Sequence, residues 1–176
     1  MPSDPIATNK IKLEIVTPRG RALDVSADEV TAPSVDGEFG VLPGHLPLLA
    51  AIRTGLVSYR QGSEMKRCAV GPGFAECSDN TVSILTDEFI ERPQIDPVLV
   101  RKELAEVQGE LAKAVASGEP LDGTGPAEPL IQRENWLAAQ LELYGDPPPA
   151  TMRPFEQYGP IPPPEESEVP TEGEAQ

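Results

Sequence analysis

The stretch S-V-D-G-E-F-G-V-L-P-G-H-L-P-L-L, residues 34–49, decides how the rest of the chain is organised. It holds three glycines, two prolines and the sequence's only histidine, between two strand-like regions. Proline has a fixed φ and no amide donor, and glycine adopts conformations closed to other residues, so this composition opposes a regular helix or strand. It predicts an ordered loop, typical of functional segments, that is held by the apolar side chains of Phe39, Val41, Leu42, Leu46 and Leu48.

Alternating apolar and polar residues on both sides of this loop predict an all-β region. Ile11, Leu13 and Ile15 share one face of the first predicted strand, and lysine and glutamate occupy the other face. Turn signals recur about every 8 to 12 residues, which indicates an antiparallel sandwich or barrel. The predicted strands are 10–17, 21–25, 29–32, 55–61, 64–70, 74–78 and 81–86.

Beyond residue 91 the apolar spacing becomes that of helices. Asp96 and Pro97 form a helix start, as N-cap and first helical residue. A single apolar stripe follows before Gly118, made of Val100, Leu104, Val107, Leu111 and Ala114. A second helix over 129–144 carries Leu130, Leu137, Leu141 and Tyr144, with Ile131 and Ala138 beside them. Because isolated helices of this length are marginal, we predict an antiparallel helical hairpin leaning on the β region.

The domain organisation follows from these patterns. We predict a β-sandwich of two antiparallel sheets over 10–90, a helical hairpin over 91–144, and disordered ends at 1–9 and 145–176, the latter an acidic, Pro/Glu-rich tail. The net charge of −15 opposes binding to nucleic acid or to an anionic lipid surface. No stretch approaches the roughly 20 apolar residues of a membrane span, so we expect no direct membrane insertion and a location in the cytoplasm or on the cytoplasmic face of a larger structure.

Residues that could carry chemistry are few. A single histidine gives no nucleophile and base pair, and two cysteines with one remote histidine give no zinc site. Cys68 and Cys77 are expected to be buried and reduced, although a hairpin could bring them close. We predict no catalytic residue, metal or cofactor. A binding module is favoured, with a small enzyme requiring pocket chemistry that the sequence does not show.

The segment G-E-F-G-V-L-P-G-H-L-P-L-L, residues 37–49, resembles the signature loop of the epsilon subunit of bacterial F-type ATP synthases, the counterpart of mitochondrial delta. The resemblance extends over 11–87 and is most specific over 30–57. It implies a non-catalytic rotor subunit of the central stalk, which couples the proton-driven membrane ring to the gamma subunit. It also implies a peripheral location on the cytoplasmic side of the inner membrane. The alternative is a freestanding β-sandwich adaptor that uses the same loop on an unrelated partner.

The resemblance also implies partners and contact residues. The partners are the gamma subunit, the polar loops of the membrane c-ring and, through the helical hairpin, the alpha/beta catalytic head. The resemblance makes Glu38 and, to a lesser degree, His45 candidate contact residues, and Asp36 and Phe39 of the same signature loop are further candidates. For His45 a structural role stays open, in which its ring bonds a loop carbonyl and pins the turn.

In many relatives the hairpin can leave the sandwich and block ATP hydrolysis through basic residues. Here the first helix has only Arg101, Lys102 and Lys113, and the second only Arg133. We therefore expect weak or absent charge-driven inhibition, which hydrolysis rates with and without residues 91–176 would check. Some relatives bind ATP through Ile-Asp and an arginine three residues after the aspartate. Ile95-Asp96 is present, but Leu99 occupies the arginine position, so Asp96 is expected to be a simple helix cap.

Overall fold

The computed structural model describes residues 10–118 and 125–147. The predicted disorder of 1–9, and of all but the first residues of 145–176, falls outside them. The elements in the described part are two helices, α1 (Pro97–Ala116) and α2 (Glu128–Tyr144), a 3-10 turn at Arg92–Gln94, and ten strands. The strands are β1 (Ile11–Thr17), β2 (Gly20–Ala27), β3 (Glu29–Ser34), β4 (Gly37–Val41), β5 (Leu48–Ile52), β6 (Gly55–Gln61), β7 (Glu64–Val70), β8 (Gly73–Ser78), β9 (Thr81–Thr86) and β10 (Phe89–Glu91).

The strands form one hydrogen-bonded sheet that folds around a single apolar core, which confirms the predicted β-sandwich class, although one continuous sheet takes the place of the two antiparallel sheets that were predicted. The strand order is β10-β7-β6-β3-β5-β8-β9-β1-β2, with β4 paired to β3. Among the described pairs, β1 and β9 run parallel and the others antiparallel. This pairing places the first strand beside one that lies nearly seventy residues later in the sequence. Parallel neighbours require a long crossover connection, and the intervening strands provide it.

The alternating pattern explains which face of each strand is buried. Ile11, Leu13 and Ile15 are fully buried, and β3, β6 and β9 contribute equally closed positions to the same core. Both cysteines lie in this core as free thiols, as predicted. The core is therefore built from the inward-facing residues of each strand, and the outward-facing residues are exposed to solvent or to partners.

The signature stretch differs from the predicted loop. Residues 37–41 form β4, which pairs with β3 from Ser34↔Gly37 to Val30↔Val41, and Leu48 and Leu49 begin β5. Gly37 has φ +128°, a conformation that allows the tight β3–β4 turn, and β3 supplies the ladder bonds. Only residues 42–47 remain irregular. Leu42 and Leu46 are exposed, so they do not hold this segment as expected, whereas Val41 is buried.

The two helices pack as the predicted hairpin. The Asp96 side chain caps α1 by accepting from the Val98 and Leu99 amides, and the predicted stripe Val100, Leu104, Val107, Leu111 and Ala114 is the buried face. On α2, Trp136, Ala139 and Leu143 are also buried, and Tyr144 is exposed instead of buried. α2 packs against β6 and β7 as well as against α1. It therefore buries a second apolar face, which the predicted single stripe did not include.

Candidate partner-binding surface

An apolar row crosses the outer face of four neighbouring strands, exposed at Ala51, Phe74 and Leu85 and partly buried at Val16. The register places Ala51 of β5 opposite Phe74 of β8, Phe74 opposite Leu85 of β9, and Leu85 opposite Val16 of β1. Phe74 is 58% exposed and Leu85 55% exposed. Because the side chains of directly opposed residues point to the same face, Val16, Ala51, Phe74 and Leu85 form one continuous strip, called the outer row below.

The acidic end of the signature stretch adjoins this row. The Val35 amide donates to the Ala51 carbonyl at 3.1 Å, so the β3–β4 turn is fixed beside the end of the outer row. The turn is tightened by the Asp36 amide, which donates to Ser34 Oγ at 3.1 Å. Val35, Asp36 and Glu38 are all exposed. The geometry thus joins an apolar strip to two solvent-facing carboxylates, and residues 35–38 are called the acidic turn.

The remaining irregular segment, residues 42–47, is called the His45 loop. The His45 amide donates to the Leu42 carbonyl at 3.0 Å, and its ring Nδ1 lies 2.7 Å from the Leu46 carbonyl. The structural role left open for His45, a ring bonded to a loop carbonyl, is thus present in the structure. The ring remains exposed, as does Leu46 at 79%.

The structure separates the predicted contact residues into two groups. Asp36 and Glu38 belong to the hairpin that is anchored at the Ile52 end of β5, whereas His45 precedes the Leu48 end. Phe39 is partly buried against the core, so its side chain anchors β4 to the sandwich. The outer row was not among the predicted contact residues. Its outward positions follow from alternation within each strand, but their alignment depends on the β1–β9 pairing.

The described residues do not assemble reactive groups. No cluster of three or more metal-ligating side chains occurs among them. Burial raises the pKa of the Cys68 thiol to about 12 and also raises the pKa of Cys77, which disfavours reactive thiolates. A cavity of about 500 Å³ between the β1–β2 turn and α2 is lined by Arg19, Arg21 and Arg133, and Arg21 and Arg133 already pair with carboxylates.

The helical hairpin is held by charged side chains as well as by its apolar faces. Arg133 on α2 donates through Nε to Glu103 of α1 at 2.7 Å and lies 3.7 Å from Glu88 of the sandwich. Arg101 bonds Asp146, with Nε to Oδ2 at 2.7 Å. Both arginines therefore make their ion pairs within the molecule.

No helix in the described part of the chain is both long and apolar enough to cross a membrane.

Fold and surface together define a class: a small β-sandwich that is followed by a helical hairpin and exposes an apolar row and an acidic turn. Residues 10–92 match the family model described as the ATP synthase, Delta/Epsilon chain, beta-sandwich domain. The chain is 38% identical over 102 residues to ATP synthase epsilon chain 2 of Syntrophotalea carbinolica, covering 58% of this chain and 74% of that relative. It is 35% identical over 103 residues to the ATP synthase epsilon chain of Leptospira interrogans, with 58% and 81% covered.

This chain belongs to the ATP synthase epsilon chain family. Its fold also resembles a chain in the cryo-EM structure of the Euglena gracilis mitochondrial ATP synthase. That similarity has a TM-score of 0.54 at 21% identity and covers 83% of this chain and 84% of the other. The predicted family is thereby confirmed, and the freestanding adaptor loses its support.

Proposed function

We propose that this chain is a non-catalytic central-stalk subunit of a proton-translocating ATP synthase, where its sandwich joins the gamma subunit to the membrane ring. The observation that carries the proposal is the outer row of Val16, Ala51, Phe74 and Leu85, which continues into the acidic turn. Membership of the epsilon chain family supports the same role.

The outer row is the proposed contact for gamma. Phe74 and Leu85 expose more than half of their surface, and burying each such side chain in an interface contributes about 1.5 to 3 kcal/mol. Contiguous exposed apolar residues flanked by polar ones mark protein-binding sites. Glu76 and Glu14 flank the row on the same strands, which suits a partner surface with an apolar centre and a basic rim.

The acidic turn is the proposed contact for the polar loops of the ring. Asp36 and Glu38 are exposed, so their carboxylates are free to approach a partner's basic group. A charge at the rim of an interface acts mainly on association rate and specificity. We therefore assign the larger share of the binding free energy to the outer row. The acidic turn is assigned the orientation of the chain on its partner.

A sandwich over 10–90 suits transmission of torque because its strands are hydrogen-bonded into one sheet around a close-packed apolar core. In this role the chain makes and breaks no bond itself. Its location is peripheral, on the cytoplasmic side of the inner membrane, with gamma and the ring as its partners.

Paired charge substitutions test the assignment. Leu85→Glu places a charge in the outer row, and Met65→Glu does the same at a side chain of similar exposure, 58%, on β7. We expect Leu85→Glu to weaken binding to a gamma-containing catalytic head by about 100-fold, since a charge buried in an interface costs several kcal/mol. Met65→Glu should bind like the wild type.

Glu38→Lys tests the acidic turn in the same assay, extended to membranes that contain the ring. We expect weaker assembly by about tenfold with an unchanged melting temperature, because the side chain is exposed. Equal binding by Leu85→Glu and Met65→Glu would reject the outer row as the gamma contact. Unchanged assembly by Glu38→Lys would remove the acidic turn.

A further inference from the structure

The His45 loop is tied to a turn that lies far away in the sequence. The Gly44 amide donates to Asn80 Oδ1 at 2.7 Å, a bond that joins residues 36 positions apart. Gly44 has φ +82°, so its backbone takes a conformation that favours glycine. The apex of the loop is therefore fixed by one side chain of the β8–β9 turn.

The Asn80 backbone is itself well fixed. Asp79 and Asn80 have φ +48° and +57°, the left-handed pair that a two-residue hairpin requires. The Asn80 carbonyl accepts from the Lys12 amide at 2.8 Å, which fastens the turn to β1. Asparagine meets both demands, because it tolerates the left-handed region and its amide oxygen is an acceptor.

The bond matters because of what the loop displays. Gly44 is followed directly by His45 and by Leu46, the most exposed of the large apolar side chains in the described part of the chain. Within the loop, His45 makes short-range hydrogen bonds to Leu42 and Leu46. These bonds shape the turn but do not fix its position over the sandwich. The Asn80 bond supplies that position.

We propose that Asn80 is a positioning residue for partner binding, which acts by holding Gly44 so that His45 and Leu46 are presented to the gamma subunit in a preorganised loop. This inference rests on the proposed function. It adds a second contact region, at the Leu48 end of β5, to the outer row. Preorganisation raises affinity because the loop does not have to be ordered when the partner binds.

Three variants separate the side-chain bond from the backbone conformation. Asn80→Gly keeps the left-handed conformation and removes the acceptor. Asn80→Asp keeps both the conformation and an acceptor oxygen, so it is the rescue variant. Asp79→Gly relaxes the neighbouring position of the same turn without touching the bond to Gly44, so it is the matched control.

The full-length variants are compared by amide hydrogen exchange at Gly44, by melting temperature and by affinity for the catalytic head with its gamma subunit. In Asn80→Gly we expect about tenfold faster exchange at Gly44 and about five- to tenfold weaker binding, the range expected for the loss of one hydrogen bond. Its melting temperature should match that of Asp79→Gly. Asn80→Asp should restore both slow exchange and affinity.

Three results would overturn the inference. Two are slow exchange at Gly44 in Asn80→Gly and wild-type affinity despite fast exchange. A weakening of binding in Asp79→Gly equal to that in Asn80→Gly would assign the effect to the turn backbone and would also reject the role of the side chain. Failure of the wild-type chain to bind the head at all would instead reject the proposed function.

Discussion

The sandwich and the helical hairpin bury their apolar residues to different degrees. Leu13, Val30, Val57 and Ile84 are 0% exposed, whereas all five buried residues of α1 keep 6 to 9% of their surface. The hairpin buries the long polar side chains of Glu134 and Gln140, whereas the sandwich buries the shorter ones of Ser34 and Thr86. Regions with fewer closed apolar contacts open at lower free energy. The sandwich is therefore the more rigid region, and the hairpin is easier to rearrange at α1, since Leu137 and Leu141 of α2 keep only 1 and 2% of their surface.

A matched pair of leucine substitutions should show the largest difference between the two regions. Leu13→Ala removes a fully buried side chain from the sandwich and should cost about 3 kcal/mol. Leu104→Ala acts in the thinner core between the helices and should cost about 2 kcal/mol or less, because neighbours and solvent can fill the space. Hydrogen exchange, resolved by region, measures both effects.

The distribution of the effect is as informative as its size. Leu13→Ala should speed exchange throughout β1 and β9, which share the core. Leu104→Ala should speed exchange in α1 and α2 and leave the sandwich unchanged. If Leu104→Ala exposed β1 and β9 as much as α1, the two regions would unfold as one unit and the comparison would be wrong.

Arg133 should show a smaller effect that is confined to the boundary between the two regions. Its guanidinium contacts Glu103 of α1 and Glu88 of the sandwich, and it is partly exposed, so Arg133→Ala should cost about 1 kcal/mol. Lys102→Ala, which removes an exposed pair with Glu106, is the control and should cost less. Fluorescence of Trp136, the only tryptophan, reports on α2 during unfolding. Equal costs for the two variants would show that Arg133 does not link the regions.

Much of the fold could be predicted because its information is local. The period of two in β1 and the stripe on α1 both identify buried faces without any knowledge of the partner element. β4 and β5 were missed since glycine and proline dominate the local signal, and the strand conformation is stabilised by bonds to β3 and β8. The second buried face of α2 was missed because it contacts the sandwich, which the spacing of the helix alone does not reveal.

The candidate site was predictable to a lesser degree, because its parts come together from distant positions. The exposure of Asp36, Glu38 and His45 agrees with their predicted place in a surface segment, but their role as contacts stays a prediction. The outer row requires the parallel pairing of β1 with β9, and the Asn80 bond spans 36 residues. Asp79-Asn80 reads as a turn in the sequence. Nothing in that pattern points to Gly44.

The smallest expected effect concerns the buried carboxyl group of the hairpin. Burial raises the pKa of Glu134, and the hydrogen bond from Gln108 Nε2, at 3.1 Å, partly offsets this. Since the folded pKa lies above the unfolded one, the folded hairpin binds more protons between the two values. Its stability is therefore highest below the unfolded pKa and declines as pH rises through the folded pKa. The pKa of Glu88, at the boundary with the sandwich, is raised by burial in the same direction, and Arg133 opposes that shift.

Glu134→Gln should remove part of this pH dependence, because glutamine carries no charge and its amide oxygen can still accept from Gln108. We expect the variant to be more stable than the wild type near pH 8 and to show a shallower decline between about pH 4 and pH 8 in Trp136-monitored unfolding. Glu110→Gln, at an exposed position of α1, is the control and should keep the wild-type slope. Some pH dependence of stability should remain in Glu134→Gln, because the pKa of Glu88 is also raised by burial. A variant as pH-dependent as the control would mean that Glu134 is solvated in solution, and that the hairpin core is looser still than its 6 to 9% exposure on α1 indicates.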